Sequence, residues 1–225
     1  MPRIRFVELH SGIQETESLA TRVMKHPFFA WIGLRAPLAQ HTAAEHQALE
    51  KHAQGCKSVV EIGVAEGASA VALRTAMDPG GTLYLVDPFH LSTVRTLNFP
   101  RRAARRAVFA KAGPRIVWIE AFSHEAAAPW NRAIDFLLID GDHREDAVEQ
   151  DWNDWHPNVT ANGVVAFHDA RLFPRGWTSP DYGPVRFVER EFRNNPLSSW
   201  TIFEEVDSLV FICRRERNTR DLRHG

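Results

Sequence analysis

The chain has 225 residues, 44% of them hydrophobic, which is enough for one sizeable core and fits a single domain with a short extension. Its 27 Lys and Arg nearly balance its 28 Asp and Glu, so no global field points to nucleic acid or to an anionic membrane surface. No stretch approaches the roughly 18 apolar residues of a membrane span, residues 1–12 lack an apolar signal core, and Cys56 and Cys213 make no disulfide framework. A cytoplasmic protein with a small partner and two inert thiols is expected.

Taken in chain order, the first 40 residues contain Phe28-Phe29-Ala30-Trp31-Ile32, too apolar for a free tail, so residues 1–41 are expected to form a lid, a substrate wall or an interface. Thr42-Ala43-Ala44-Glu45 is a capping box that opens a helix to about Ala53. Apolar runs bounded by turn signals then alternate with helical periodicity, the signature of βαβ units around a parallel sheet. The strands are read at Lys57 to Ile62, Thr82 to Val86, Arg115 to Ile119, Ile134 to Ile139 and Gly163 to Phe167. The helices between them fall at about Ala68 to Met77, Arg101 to Ala112, His124 to Ala128 and Arg144 to Trp155. The end of a further helix is read at Glu189 to Asn194, and two strands, Trp200 to Glu204 and Leu209 to Arg214, follow around Val206-Asp207-Ser208. So short a loop forces those two strands to pair antiparallel. Arg101-Arg102-Ala103-Ala104-Arg105-Arg106 reads as a solvated helical face.

The richest segment is Glu61-Ile62-Gly63-Val64-Ala65-Glu66-Gly67-Ala68-Ser69, where a buried strand ending in a carboxylate breaks into a glycine turn before a helix. Gly63 and Gly67 remove side chains where backbone is expected to pass close to a ligand, and the helix start offers unpaired N–H groups beside it. The spacing is not the dinucleotide fingerprint Gly-x-Gly-x-x-Gly, because Ala65 stands two places after Gly63. Ligands of open α/β sheets bind outside the carboxyl ends of the strands, and here those ends carry Glu61, Asp87, Ser123-His124, Asp140-Gly141-Asp142-His143 and His168-Asp169. Asp87 is placed to accept from ribose hydroxyls, the alternative being a strand-end turn before Pro88. Asp140 and Asp169 end adjacent strands, so their carboxylates can converge on one hard cation; alternatively they cap helices and pair with Arg144 or Arg171. The loop from Arg171 to Pro184 is long, aromatic and rich in Pro and Gly, as substrate-contacting loops are.

The Glu-x-Gly-x-x-x-Gly-x-Ser turn resembles motif I of class I S-adenosylmethionine (SAM) methyltransferases. Asp140 to His143 with His168-Asp169 resembles the metal-dependent O-methyltransferases of catechol and macrolide-sugar type. The resemblance covers about residues 42 to 214, leaving 215–225 as a polar tail. It implies a Rossmann-like α/β fold: a seven-stranded, mostly parallel sheet with a C-terminal antiparallel hairpin and helices on both faces. It implies SAM as cofactor, held by Glu61, Gly63, Gly67, Ser69, Asp87, Ser123, His124 and Asp140, with Ser123-His124 at the adenine edge. Ser123 as a helix N-cap is compatible with that position. A divalent metal, magnesium or manganese, is implied at Asp140, His168 and Asp169, with Asp140 and His143 as catalytic residues and His143 able to take the proton. His168 is a nitrogen ligand where the family places a carboxylate, which also admits iron or zinc. The expected reaction is methyl transfer to a hydroxyl of a small molecule or sugar unit, with no nucleic acid or membrane as partner and a homo-oligomer possible. A SAM-binding protein without turnover and a nicotinamide-dependent oxidoreductase are the alternatives.

Overall fold

A computed structural model describes residues 26–89, 98–174 and 176–215. Most of the extension expected over residues 1–41 and most of the polar tail lie outside the described residues. Seven strands form one sheet: β1 (Ser58–Ile62), β2 (Thr82–Val86), β3 (Arg115–Ile119), β4 (Ile134–Ile139), β5 (Val159–Phe167), β6 (Trp200–Val206) and β7 (Leu209–Arg214). Their order is β3-β2-β1-β4-β5-β7-β6; the first five run parallel, and β7 is antiparallel to both β5 and β6. The order reverses at β1, and that switch point opens the crevice in which such sheets bind ligands.

The helices are α1 (Pro27–Ile32), α2 (Ala43–Ala53), α3 (Ala68–Ala76), α4 (Phe99–Phe109), α5 (Ser123–Ala127), α6 (Glu145–Trp155) and α7 (Gly183–Val188). Side chains alternate across each strand, so β1 sends Val59 to one core and Val60 to the other. Leu49, Leu73 and Val108 from α2, α3 and α4 meet Phe136 and Leu138 on one face; Trp152, Trp155 and Phe187 from α6 and α7 meet Leu137 and Phe167 on the other. Each such fully buried aliphatic or aromatic side chain contributes about 1.5–3 kcal/mol. Among the described residues no helix is long and apolar enough to cross a membrane.

The capping box is present: Thr42 Oγ1 accepts from Glu45 N at 3.1 Å, and Glu45 Oε2 accepts from Thr42 N at 2.7 Å. It is also sewn to the β6–β7 turn, where Ser208 N and Oγ donate to Glu45 Oε1 at 2.7 and 2.6 Å and Thr42 Oγ1 donates to Asp207 Oδ2 at 2.6 Å. Asp207 closes that turn at φ 48, a left-handed conformation that Asp tolerates.

Three elements depart from the sequence reading. β5 begins at Val159 rather than Gly163: Val159 pairs with Ile134 of β4, and a register shift before the Phe136–Val164 pair bulges the polar Asn162-Gly163 step out of the ladder without ending the strand. α7 occupies the end of the segment read as loop, and the next turn, Glu189–Arg193, is π-helical. The apolar run Phe28 to Ile32 is a short helix whose Phe28 and Trp31 pack on Phe99 of α4. Both cysteines are half-buried, and burial pushes the Cys56 thiol up to about 11, in keeping with an inert thiol.

Candidate functional site

Gly63 and Gly67 both adopt left-handed φ, 84° and 83°. A Cβ on Gly63 would collide with the backbone carbonyl of Asp140, and one on Gly67 would come within 3.0 Å of Ala104 Cα. The glycines therefore make room for the end of β4 and for α4, not directly for a ligand as the sequence reading had it. Gly67 caps α3 without any side-chain hydrogen bond, leaving the first turn of that helix uncapped beside the cleft. Asp87 fastens the same turn: its Oδ2 accepts from Val64 N at 2.9 Å and Ala65 N at 3.1 Å, and its Oδ1 accepts from Phe89 N at 2.7 Å.

These groups face a cleft of about 810 Å³ at the carboxyl edge of the sheet. Of the residues expected to bind cofactor, Gly63, Ser69, Asp87, Ser123, His124 and Asp140 line it. Glu61 and Gly67 stand behind the wall. Glu61 is fully buried; Ser69 Oγ donates to its Oε1, and its Oε2 has no hydrogen-bond partner among the described residues. Burial pushes its carboxyl well above the usual range, against the Ser69 hydrogen bond and with help from Asp140 and Asp87. Ser123 is not the cap of α5, since Phe122 holds that place; its Oγ accepts from Trp155 Nε1 at 2.8 Å.

Asp140 and Asp169 meet histidines rather than Arg144 or Arg171. Arg144 pairs with Asp142 at 3.0 Å, and Arg171 lies 3.9 Å from Glu205. His168 Nδ1 is 3.0 Å from Asp140 Oδ1 and 3.4 Å from Asp169 Oδ1. His143 Nε2 is 3.1 Å from Asp169 Oδ2, an ion-pair distance without good hydrogen-bond alignment, and 3.8 Å from Asp140 Oδ1. One donor atom each from Asp140, His143 and His168 falls within a 4.8 Å cluster. Asp140 and His143 line the cleft, while His168 and Asp169 are buried behind them. Trp177, from the loop after β5, donates to Asp169 Oδ1 at 2.6 Å, and Asp169 itself is held at φ 54.

The electrostatics follow from crowding carboxylates round imidazoles. Burial opposes charge on His168, but Asp140, Glu45 and Asp169 outweigh it and hold its pKa up at about 11. Burial likewise opposes ionisation of Glu45, yet His168, Ser208 and Thr42 bring that carboxyl down to about 2. Asp169 is held below its ordinary value because His143, His168 and Trp177 outweigh its burial. The Asp169 contact raises His143, against burial. Glu45 is a site residue that sequence reading missed: its capping role was legible, but its approach to His168 Nε2, at 3.8 Å, is made by tertiary folding. His41, Asp151 and the Arg35–Glu66 pair were missed for the same reason.

No curated protein matches the chain. Solved methyltransferase structures share the fold, among them the following three. The O-methyltransferase of Bacillus cereus in complex with S-adenosylhomocysteine (SAH) is 15% identical, with 90% of this chain and 94% of that one covered and a TM-score of 0.55. The SAM complex of the O-methyltransferase TomG from Streptomyces achromogenes is 16% identical, with 92% and 94% covered and a TM-score of 0.57. An rRNA methylase from Streptococcus thermophilus is 10% identical, with 79% and 100% covered and a TM-score of 0.51. Residues 60–170 match a family model described as a methyltransferase domain. That match runs from within β1 to just past β5, across every strand end that walls the cleft, so the chain is similar to methyltransferase domains there and shares the fold of class I SAM-dependent methyltransferases.

Proposed function

We propose that this enzyme transfers a methyl group from SAM to a hydroxyl of a small molecule or sugar unit, in the cytoplasm, with a divalent cation at Asp140, His168 and Asp169. Asp140 and His168 converge with His143 beside the glycine-turn cleft, and Asp169 Oδ1 lies 3.4 Å from His168 Nδ1; that convergence carries the reading. The O-methyltransferases among the fold neighbours are in keeping with it.

The cleft fits the cofactor on three counts. Its volume is that of a cofactor site, α3 presents an uncapped N-terminus, and Glu61 Oε2 is a buried oxygen with no hydrogen-bond partner among the described residues. Gly63, Gly67 and Ser69 shape the turn, with Glu61 holding Ser69 from behind; Asp87 faces the ribose, Ser123 and His124 the adenine, and Asp140 the amino-acid end. SAM when bound supplies a methyl group on a good leaving group, so no protein nucleophile is needed. The donor set also fits a cation, and its mix of imidazole and carboxylate suits manganese, iron or zinc better than magnesium. A bound cation would lower the pKa of a hydroxyl held there. The chain's own residues bind and orient: Asp140 and His143 line the cleft where the acceptor would sit, and His143, kept toward its protonated form by Asp169, donates to the acceptor oxygen. Placing that oxygen in line with the methyl carbon supplies several kcal/mol through effective molarity, a large share of the rate.

The arginines of α4 do not make a free basic face: Arg101 and Arg105 pair with Glu120, and Arg102 lies 4.8 Å over Trp31. A small acceptor is therefore favoured over RNA. The test offers methyl-labelled SAM with catechols, sugar nucleotides, amines and ribosomal RNA, with added manganese or with EDTA. Label on a hydroxyl oxygen, lost in EDTA, is expected. Label only on nitrogen or on RNA overturns the acceptor class, and full activity in EDTA overturns the cation.

A further inference from the structure

Methylation of a hydroxyl releases one proton, and the imidazoles nearest Asp140 are already engaged by carboxylates: His143 Nε2 lies 3.1 Å from Asp169 Oδ2 and His168 Nδ1 3.0 Å from Asp140 Oδ1. A third imidazole lines the same cleft. His41 comes from the segment before α2 and lines the cleft that Asp140 and His143 also line. Its Nε2 lies 3.1 Å from Nδ1 of His46. The two rings are tilted by 22° with centroids 5.3 Å apart, close to the N···N distance plus two ring radii. They therefore meet edge to edge through a nearly in-plane N–H···N bond rather than face to face. One helical turn on, His46 Nε2 lies 3.5 Å from Glu50 Oε1, and both side chains reach solvent, 38% and 41% exposed.

Resting on the methyltransferase reading above, we propose that His41 is a catalytic base for the acceptor hydroxyl, and that His46 and Glu50 orient it and relay its proton to the surface. Donor and acceptor counting fixes the direction. An ionised Glu50 only accepts, so it places the proton of His46 on Nε2, and His46 Nδ1 is then a bare acceptor. That acceptor takes the Nε2–H of His41, which leaves the lone pair on His41 Nδ1, an atom no described residue bonds. The arrangement follows the general pattern in which a base is oriented by a second group and that group by a third. The Glu50 contact is at ion-pair distance, and the same Oε1 also accepts from Thr75 Oγ1 at 3.3 Å.

The surroundings keep His41 neutral. Burial, His46 and His168 lower its pKa, and Glu45 and Asp140 only partly oppose them. In the step itself the O–H bond breaks and its proton goes to His41 Nδ1, while an oxygen electron pair forms the bond to the methyl carbon. The carbon–sulfur pair returns to sulfur, discharging the sulfonium. His41 then passes its Nε2 proton to His46 Nδ1, and His46 passes its own to Glu50 and water.

The test uses the full chain with 15N-labelled histidine, saturated with SAH at neutral pH, and reads ring tautomers by proton–nitrogen correlation. His41 and His46 should both be neutral with the proton on Nε2. His46→Leu should abolish the His41 preference, while His46→Gln, whose amide oxygen still accepts, should retain it. In turnover, His41→Ala should lower kcat by about 100- to 10,000-fold with SAH affinity within about threefold of the parent. His46→Leu should lower kcat, leave KM for SAM unchanged and move the acidic limb of the pH profile. A charged His41, a proton on its Nδ1, or a tautomer indifferent to His46→Leu overturns the relay alone when calorimetry shows SAH bound. Absence of SAH binding overturns the methyltransferase reading and the relay with it.

Discussion

Asp151 sits on α6 beneath Gly141, 7% exposed, with its Oδ2 close enough to crowd any Cβ placed there. Burial lifts its carboxyl to about 6, with Ser123 opposing and Asp154 and Asp142 adding to the rise. A folded pKa above the unfolded 3.8 means that the native state holds the proton longer, so stability falls as pH rises from about 4 to about 6. The full penalty above that window is at most about 3 kcal/mol. Asp151→Asn removes it: the variant should gain about 1–3 kcal/mol at neutral pH and nothing below about pH 4, read from denaturant melts at both. An acidic group retained at such a disadvantage on a cleft wall calls for a ligand donor, and the nearest expected one is the adenine amino group beside Ser123 and His124. The same variant should therefore bind SAH less tightly despite being more stable. Equal affinity at higher stability would leave Asp151 without a ligand role.

Between elements, the segment before α2 is strapped across the glycine turn. Arg35 donates to both oxygens of Glu66, at 2.6 and 2.8 Å, and Leu38 N donates to Glu66 Oε2 at 2.9 Å. The pair is well shielded, 15% and 9% exposed, so its geometry holds Leu38, Gln40 and His41 against the cleft. Arg35→Ala should weaken SAH by about tenfold, or 1.4 kcal/mol, mainly through faster dissociation in stopped-flow displacement. An unchanged dissociation rate would mean that the strap does not retain ligand. None of this was legible in the sequence, where Arg35 and Glu66 are ordinary charges. Strands were legible because apolar runs between turn signals need no partner to be recognised, and β2, β3 and β4 fall where they were read. Of the helix that opens with α7 only the end, Glu189 to Asn194, was read: it begins Gly183-Pro184, and Val185, Phe187 and Val188 are all buried, so no polar face marks the period of its first turns. The strand ends named the carboxylates and imidazoles of the site, but the Glu45–His168 approach and the His41–His46 bond depend on how α2 docks.

At the scale of the molecule, the parallel sheet gathers five strand ends at one edge, and the cleft there is built from groups the fold alone leaves unsatisfied or unsettled. Glu61 Oε2 and His168 Nε2 are buried without hydrogen-bond partners among the described residues, and Asp151 is unsettled by burial. A ligand that pairs with such groups binds the folded state and not the unfolded chain, so it must raise thermal stability. With SAH at about 100 times its dissociation constant the gain should be about 2.7 kcal/mol, or about 5–10 °C for a domain of this size. NAD should give no comparable rise, since the turn carries Ala65 where a dinucleotide site needs its second glycine for the pyrophosphate. The shift should survive EDTA, because the residues proposed for the adenosine end are not those proposed for the cation. A shift with NAD and none with SAH would return the chain to the oxidoreductase alternative. A SAH shift abolished by EDTA would show instead that cation and cofactor sites are one coupled unit.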